Sequence, residues 1–315
     1  MREQQENEKV SLIQGELEKI IKGKRAVTDK ILMAILAKGH VLMDDVPGVG
    51  KTTTALSLSR LLGMDFKRIQ FTPDVVPSDV TGFTMYDKKE SCFRYCPGAV
   101  MCNMLLADEI NRTSSKTQSA LLEVMEEGHV TVDGETYDVP QPFVVIATQN
   151  PLGTAGTQML PESQLDRFMI CVSMGYPDAR SQMELLRDRQ GINPLENAMQ
   201  VVNAEEILRL QKEVQQIYIA DGILEYVTEL TEKTRNHEQI ALGISPRGAL
   251  ALCRMAKASA YLSGRDYVIP KDVKDTFADV CAHRLVLNHN ARRANVTAKE
   301  ILKEILNSVL EPKIG

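Results

Sequence analysis

Residues 45–52 have the composition of a phosphate-binding loop, with two glycines, a lysine and a threonine in close succession. The segment follows the apolar residues 41–43 and precedes a stretch with the spacing of an amphipathic helix. A strand, a glycine-rich turn and a helix N-terminus together point several backbone N–H groups at one anion. Gly48 and Gly50 allow the backbone to approach a phosphate closely, where a Cβ would intrude. The pattern therefore predicts a site for the phosphates of a nucleoside triphosphate.

Two side chains of this loop supply charge and metal chemistry. Lys51 offers a positive charge to the β- and γ-phosphates, and the Thr52 hydroxyl is placed to coordinate Mg²⁺. The phosphate-loop pattern begins with glycine, whereas this chain has Asp45, whose carboxylate we expect to turn away from the phosphates. The predicted nucleotide contacts are Val46, Pro47, Gly48, Val49, Gly50, Lys51, Thr52 and Thr53.

A second motif, residues 105–109, is an apolar strand that ends in two adjacent acids. We expect Asp108 to hold the hydration shell of Mg²⁺ and Glu109 to polarise the attacking water as general base. An acidic pair alone is also compatible with a solvated turn at the end of a strand. The phosphate loop upstream favours the catalytic interpretation.

Residues 143–150 repeat this design, because an apolar strand again ends in a polar side chain. Ligands collect at the carboxyl edge of a parallel sheet, so Asn150 is placed to bind the γ-phosphate or to orient the attacking water. The alternative role for Asn150 is that of a turn residue before Pro151.

The elements that must position these motifs alternate between strands and helices. Two helical patterns precede the first strand, and the pattern of residues 114–127 predicts a helix between later strands. Further apolar runs typical of strands lie at 66–71, 100–107, 143–148 and 168–172. This alternation predicts an α/β fold with a mainly parallel sheet covered on both faces. Residues 129–139 instead predict a hairpin with an Asp-Gly turn.

After Pro177 the apolar runs give way to helical segments with clear start signals. Capping-box patterns begin at Asn203 and Thr297, and a Ser-Pro pair at 245–246 is typical of a helix N-terminus. We therefore expect a helical C-terminal domain.

The domain boundary is predicted at a segment that resembles a linker, residues 191–197. The expected domains are an α/β nucleotide-binding domain, residues 1–190, and a helical lid domain, residues 191–315.

The composition is ordinary for a soluble globular protein. Among 315 residues, 43% are apolar and 25% are charged, and the net charge of −5 argues against broad electrostatic binding to nucleic acid. The polar N-terminal segment lacks a signal-peptide pattern, and no apolar run is long enough to span a bilayer. We therefore expect a cytoplasmic protein without a membrane span.

The cysteines raise one question of metal binding. Cys92 and Cys96 have a spacing that suits a metal, and Cys102 lies nearby, but no second Cys or His pair completes a set of four ligands. Reduced thiols are the favoured interpretation, with Cys171 as a small core residue.

Six motifs in this order resemble the MoxR branch of the AAA+ ATPases, and the resemblance extends from about residue 20 to at least residue 288. It implies an AAA+ phosphate-loop core followed by an all-helical lid. The motifs are residues 46–52, 108–112, 116–122, 147–151, 160–168 and 245–247.

The resemblance implies roles for three polar residues. Asn150 matches sensor 1, Arg167 matches the arginine finger that reaches the γ-phosphate of the neighbouring subunit, and Arg247 matches sensor 2 on the lid. The chemistry agrees, because guanidinium groups stabilise the charge of a phosphoryl-transfer transition state. Arg247 at a helix start is otherwise unfavourable beside the positive end of the dipole, and an anion in front of it would explain its placement.

Two segments resemble the insertions that mark this branch. Residues 71–82 resemble the helix 2 insert, and residues 129–139 resemble the pre-sensor 1 hairpin. In this branch both face the axial region of a ring, where substrates or partners are engaged. Ordinary surface loops are the alternative.

The resemblance implies a chaperone-like remodeller that binds and hydrolyses ATP with Mg²⁺ and works as a homo-oligomeric ring, expected to be a hexamer. Proteins of this branch are associated with partners that contain von Willebrand factor A domains. A nucleotide-gated assembly scaffold with little turnover is one alternative, which Glu109 disfavours. A nucleic-acid motor is another, which the acidic composition and the lack of a basic or zinc module disfavour.

Overall fold

The computed structural model of the chain describes residues 2–150, 159–188 and 194–312, with side chains from residue 8 onward. The strands are β1 Val41–Asp44, β2 Phe66–Gln70, β3 Gly82–Asp87, β4 Cys92–Pro97, β5 Met104–Asp108, β6 His129–Val132, β7 Glu135–Asp138, β8 Val144–Gln149, β9 Ile170–Val172, β10 Ile240–Leu242 and β11 Val286–Leu287. The helices are α1 Arg2–Ile20, α2 Arg25–Leu36, α3 Lys51–Leu61, α4 Pro77–Thr81, α5 Ser115–Glu127, α6 Glu162–Leu165, α7 Ala179–Asp188, α8 Ala204–Gln216, α9 Asp221–Arg235, α10 Pro246–Leu262, α11 Pro270–Cys281, α12 His289–Arg293 and α13 Ala298–Ser308.

A five-stranded parallel sheet with the order β2-β5-β8-β1-β9 organises the N-terminal part of the chain. The predicted parallel sheet is confirmed. Its central strands read as continuous apolar runs because both of their faces are covered, and every residue of β8 is buried. The crossovers bring the carboxyl ends of β1, β5 and β8 side by side, where the polar residues of the three motifs follow them.

Alternate residues of each central strand enter different cores, as the two-residue repeat of a strand requires. In β1, Val41 and Met43 pack into a core with helices α1, α2 and α3, whereas Leu42 faces a second core against α5. The first core continues into the C-terminal helices, since α2 packs on α8 and α10. The helical lid is therefore joined to the sheet through the N-terminal helices.

The helix starts predicted after Pro177 are confirmed. Asn203 and Thr297 close capping boxes, and the Ser245 hydroxyl accepts a hydrogen bond from the backbone N–H of Gly248. The predicted boundary between residues 190 and 191 lies outside the described residues, so the division into residues 1–190 and 191–315 stays a prediction.

Hairpins account for the main differences from the predicted elements. The predicted β6–β7 hairpin is confirmed, but the pairing of β3 with β4 and the short β10–β11 pair are additional. The β3–β4 hairpin buries almost none of its side chains, so burial imposes no alternation on its sequence that a reader of the pattern would detect. The strand predicted at 100–107 is shifted, because β5 begins only at Met104.

Candidate nucleotide-binding and hydrolysis site

The phosphate loop lies between β1 and α3, and Gly50 is the residue that caps the helix. Gly48 and Gly50 have φ angles of +86° and +97°, in the left-handed region that favours glycine. A Cβ on either residue would meet no protein atom within 4 Å, so both point into open space. The result is a cradle of backbone N–H groups at the start of an 11-residue helix, with room for a phosphate.

The predicted nucleotide contacts divide between this loop and the helix that follows. Residues 46–50 form the loop, and residues 51–53 form the first turn of α3. Lys51 Nζ donates a hydrogen bond to the backbone oxygen of Asp45 at 2.7 Å, which keeps the ammonium group over the loop. Thr52 is half-buried on the same turn.

The Asp45 carboxylate turns away from the cradle, as predicted. It accepts hydrogen bonds from Ser173 Oγ at 2.7 Å, from the backbone N–H of Met174 at 2.5 Å and from that of Gly175 at 3.1 Å. The side chain is 4% exposed, so these three donors satisfy a carboxylate that water barely reaches. Asp45 therefore ties the phosphate loop to the segment after β9.

The acidic motif lies beside this loop at the carboxyl edge of the sheet. Thr148 Oγ1 donates to Asp108 Oδ1 at 2.6 Å and accepts from the backbone N–H of Glu109 at 2.9 Å, which joins the ends of β5 and β8. Arg68 Nη2 donates to Asp108 Oδ2 at 2.6 Å. Sequence reasoning missed both Thr148 and Arg68. Thr148 is a polar residue near the end of β8, whereas Arg68 lies in the middle of β2 and has no such signal.

Glu109 occupies a backbone conformation that is rare for residues with a side chain. Its φ of +56° lies in the left-handed region, where strain often accompanies a functional position. The carboxylate accepts hydrogen bonds from Gln70 Nε2 at 2.9 Å and from Arg112 Nη1 at 2.7 Å. Two donors from separate elements therefore hold the predicted base in place.

Asn150 follows β8 at the same edge. The register pairs Asp44 with Gln149, so Asn150 lies across from the start of the phosphate loop. Asn111 Nδ2 donates to the backbone oxygen of Asn150 at 3.3 Å, and Asn111 Oδ1 has no hydrogen-bond partner among the described residues. Asn111 and Asn150 thus lie near both Glu109 and the phosphate loop.

Arg167 and Arg247 lie elsewhere. Arg167 precedes β9, and the backbone N–H of Met169 bonds to the carbonyl of His40, which precedes β1. The arginine is therefore at the amino edge of the sheet, on the order of 13 Å from the phosphate loop at about 3.3 Å per strand residue. Both arginines bind the Glu126 carboxylate, Arg167 Nη1 at 3.0 Å and Arg247 Nη1 at 3.2 Å. The structure thus divides the predicted site residues between two edges.

Asp166 fixes the position of both arginines. It accepts hydrogen bonds from Arg284 Nε at 2.6 Å and from Ser245 Oγ at 3.0 Å. Ser245 begins the helix that carries Arg247, and Asp166 adjoins Arg167 in the chain. Burial lowers the pKa of Arg284, and the Asp166 carboxylate opposes that shift. Sequence reasoning missed both partners, because Arg284 follows Asp166 by more than 100 residues.

Comparisons with known proteins show the family to which the chain belongs. Residues 40–170 match the profile of the ATPase family associated with various cellular activities (AAA), and residues 232–305 match the AAA lid domain. The chaperone MoxR1 of Mycobacterium tuberculosis is 40% identical over 95% of this chain and 81% of its own length. The chain belongs to the MoxR family of AAA+ ATPases.

Two further similar proteins align with nearly the whole chain. The uncharacterized protein YeaC of Bacillus subtilis is 48% identical over 94% of this chain and 92% of its own length. A crystal structure of a proposed ATPase from Cytophaga hutchinsonii superposes with a TM-score of 0.92 at 35% identity, covering 99% of this chain and 97% of that one. The fold is therefore that of an AAA+ core with a helical lid.

His40, which precedes β1, lies outside the sequence motifs and makes two hydrogen bonds to neighbouring elements. Its Nε2 lies 3.0 Å from the carbonyl of Met125, and its Nδ1 accepts a hydrogen bond from the backbone N–H of Val145 at 3.0 Å. This pattern requires the neutral ring with the proton on Nε2. Burial lowers the pKa of His40 to about 4.

The cysteines and the membrane criterion complete the inventory of sites. Cys92 is exposed on β4, whereas burial raises the pKa of Cys102 to about 11. In the described segments, no three His, Cys, Asp or Glu side chains converge where they could hold a metal ion. Across those same segments, no helix has the length and apolar character needed to cross a membrane.

Proposed function

We propose that this protein binds ATP with Mg²⁺, hydrolyses it between neighbouring subunits of a ring, and uses the cycle to remodel partner proteins. The observation that carries the proposal is the separation of the predicted residues into two edges. One edge has Lys51, Asp108 and Glu109, and the other has Arg167 and Arg247. A single chain therefore presents each half of a hydrolytic site without joining them.

The carboxyl edge suits binding and water activation. The backbone cradle and Lys51 bind the phosphates, while Thr52 and Asp108 would hold Mg²⁺, which needs only one or two protein ligands when phosphate oxygens complete its shell. Mg²⁺ would neutralise charge on the β- and γ-phosphates. Asp108 already uses Oδ2 to bind Arg68, so this ion pair must open or share that oxygen when the metal is bound.

Glu109 would take the proton of the attacking water, and Asn150 would orient that water or bind the γ-phosphate. The hydrogen bonds from Gln70 and Arg112 both end on the same carboxylate oxygen, Oε2, so Oε1 is the oxygen that would take the proton. Proton acceptance by Glu109 favours turnover over the scaffold alternative.

The amino edge suits action on a neighbour. Arg167 and Arg247 would stabilise the charge that develops on the γ-phosphate held by the adjacent protomer. Their guanidinium groups cannot reach the phosphate loop of their own chain across the length of β1. This arrangement supports a closed ring, and a hexamer stays our prediction for its size.

The cellular role follows from relatives. The Mycobacterium tuberculosis relative is named a chaperone, which supports a remodelling role for this protein. A partner with a von Willebrand factor A domain and a cytoplasmic location both stay predictions. We expect such a partner to be engaged by residues 71–82 and by the β6–β7 hairpin.

Mixed rings test the proposal. Lys51→Ala removes the phosphate counter-charge, and Arg167→Ala removes the finger while leaving the cradle intact, so each variant alone should lose at least about 100-fold in turnover. Mixing the two places an intact loop beside an intact finger at some interfaces, and partial recovery of phosphate release is expected. Mixed oligomers that form, as shown by differential tagging, yet recover nothing would refute action between subunits.

A further inference from the structure

Glu126 stands where helix electrostatics disfavour it. It lies in the last turn of α5, residues 124–127, which contains two acids and no base, although the negative end of the helix dipole disfavours acids. Arg247 is a base in the first turn of α10, where the positive end of the helix dipole disfavours it. The contact between Glu126 and Arg247 compensates both unfavourable placements at once.

The cavity around this contact has an excess of positive charge. Its volume is about 490 Å³. Asp166 is already paired with Arg284, so Glu126 is the carboxylate that faces the remaining cations. The charged lining residues are Lys38, Glu126, Asp166, Arg167, Arg247, Arg254 and Arg284. Glu126 by itself does not balance the cations other than Arg284, so the cavity can accept a more highly charged anion.

We propose that Glu126 is a resident anion that engages Arg167 and Arg247 in the free protomer and is exchanged for the terminal phosphate of the nucleotide bound by the neighbouring subunit. This inference rests on the proposed function. Each arginine is paired to a different oxygen of the same carboxylate, so Glu126 occupies both guanidinium groups in the free protomer. Arg167 Nη1 also donates to the carbonyl of Leu122 at 2.6 Å.

The exchange is physically accessible because the ion pairs are partly exposed. The side chains of Glu126 and Arg247 are 38% and 45% exposed, and ion pairs at that exposure are weak. A terminal phosphate carries about two negative charges and three acceptor oxygens, so it competes well for two guanidinium groups. The released Glu126 side chain can turn into solvent, which limits the cost of leaving. Glu126 thus occupies both arginines in the free protomer and still allows the terminal phosphate of ATP to replace it.

A titration with inorganic tripolyphosphate tests the exchange without any need for turnover. Lys51→Ala disables the phosphate loop, and in that background Glu126→Gln removes the resident charge with nearly the same side-chain shape. By calorimetry, the double variant Lys51→Ala, Glu126→Gln should bind tripolyphosphate at least fivefold more tightly than Lys51→Ala alone. Adding Arg167→Ala to the double variant should abolish this gain. Glu123→Gln is the matched control, since Glu123 is an exposed acid on the same helix and should change nothing.

Turnover in the otherwise unaltered chain supplies a second readout. Glu126→Gln should reach half-maximal ATPase activity at a protein concentration at least threefold lower than the wild type, with an unaltered Tm. Equal tripolyphosphate affinities for Glu126→Gln and Glu123→Gln would overturn the inference, as would a kcat that falls toward that of Arg167→Ala. A wild-type chain without turnover would instead refute the proposed function, and the titration would still decide the role of Glu126.

Discussion

The two edges of the sheet achieve their geometry in different ways. The carboxyl edge takes its phosphate cradle from one continuous segment, in which the backbone of residues 46–50 follows β1 directly into α3. The amino edge assembles Arg167 and Arg247 from distant parts of the chain, held by Glu126, Asp166 and Arg284. Phosphate binding can therefore be encoded by a local sequence motif. The position of the two arginines depends instead on how the lid packs against the sheet.

The largest expected effect separates chemistry from binding at the carboxyl edge. Glu109→Gln keeps the shape of the side chain but removes the proton acceptor, so turnover should fall by about 100-fold or more while ATP binding persists. Phosphate release and titration with a fluorescent ATP analogue measure the two quantities. Glu127→Gln, an exposed change at the end of α5, should match the wild type. Wild-type turnover in Glu109→Gln would remove Glu109 as the base.

The next effect tests whether the amino edge depends on its buried clamp. Asp166→Asn leaves the guanidinium of Arg284, a residue only 5% exposed, without its counter-charge, so the free energy of unfolding should drop by about 3 kcal/mol. Turnover should fall as well, because Asp166 positions both arginines. Urea unfolding and phosphate release measure the two effects.

The matched control for this clamp is an exposed pair. Glu184→Gln breaks the contact with Arg180, whose side chain is 87% exposed, and should cost less than about 0.5 kcal/mol. Equal losses in Asp166→Asn and Glu184→Gln would show that the clamp adds nothing to the stability of the amino edge.

The smallest effect concerns acid sensitivity at the amino edge. Burial lowers the pKa of His40 to about 4 and that of His283 to about 3, so the unfolded chain takes up protons first as pH falls below about 6.5. Stability is therefore full well above pH 6.5 and should fall by about 2.5 kcal/mol between pH 7 and pH 5.5, shared equally between the two histidines.

Replacing one of these histidines sharpens the comparison. His40→Gln should halve the pH dependence of the urea midpoint, whereas His289→Gln, at an exposed position, should leave it unchanged. A wild-type midpoint that stays constant between pH 7 and pH 5.5 would contradict the neutral state of both rings.

The sequence alone was sufficient for the features that depend on near neighbours in the chain. The phosphate loop follows from the spacing of Gly48, Gly50 and Lys51, and the helix starts at Asn203 and Thr297 follow from capping residues three positions apart. The buried strands were predictable because covering both faces of a sheet demands continuous apolar runs. Family membership follows from the order of such local motifs.

Only the tertiary structure decided which polar groups meet. Glu126 is an unremarkable acid in the sequence, and Asp166 carries no signal of a partner 118 residues later. The pairing of Glu109 with Gln70 likewise depends on β2 lying beside β5. Charge pairs act through space over a few ångströms, and no period along the chain encodes that proximity. For this reason the phosphate loop could be predicted from the sequence, while the meeting of Arg167 and Arg247 at Glu126 required the packing of the lid.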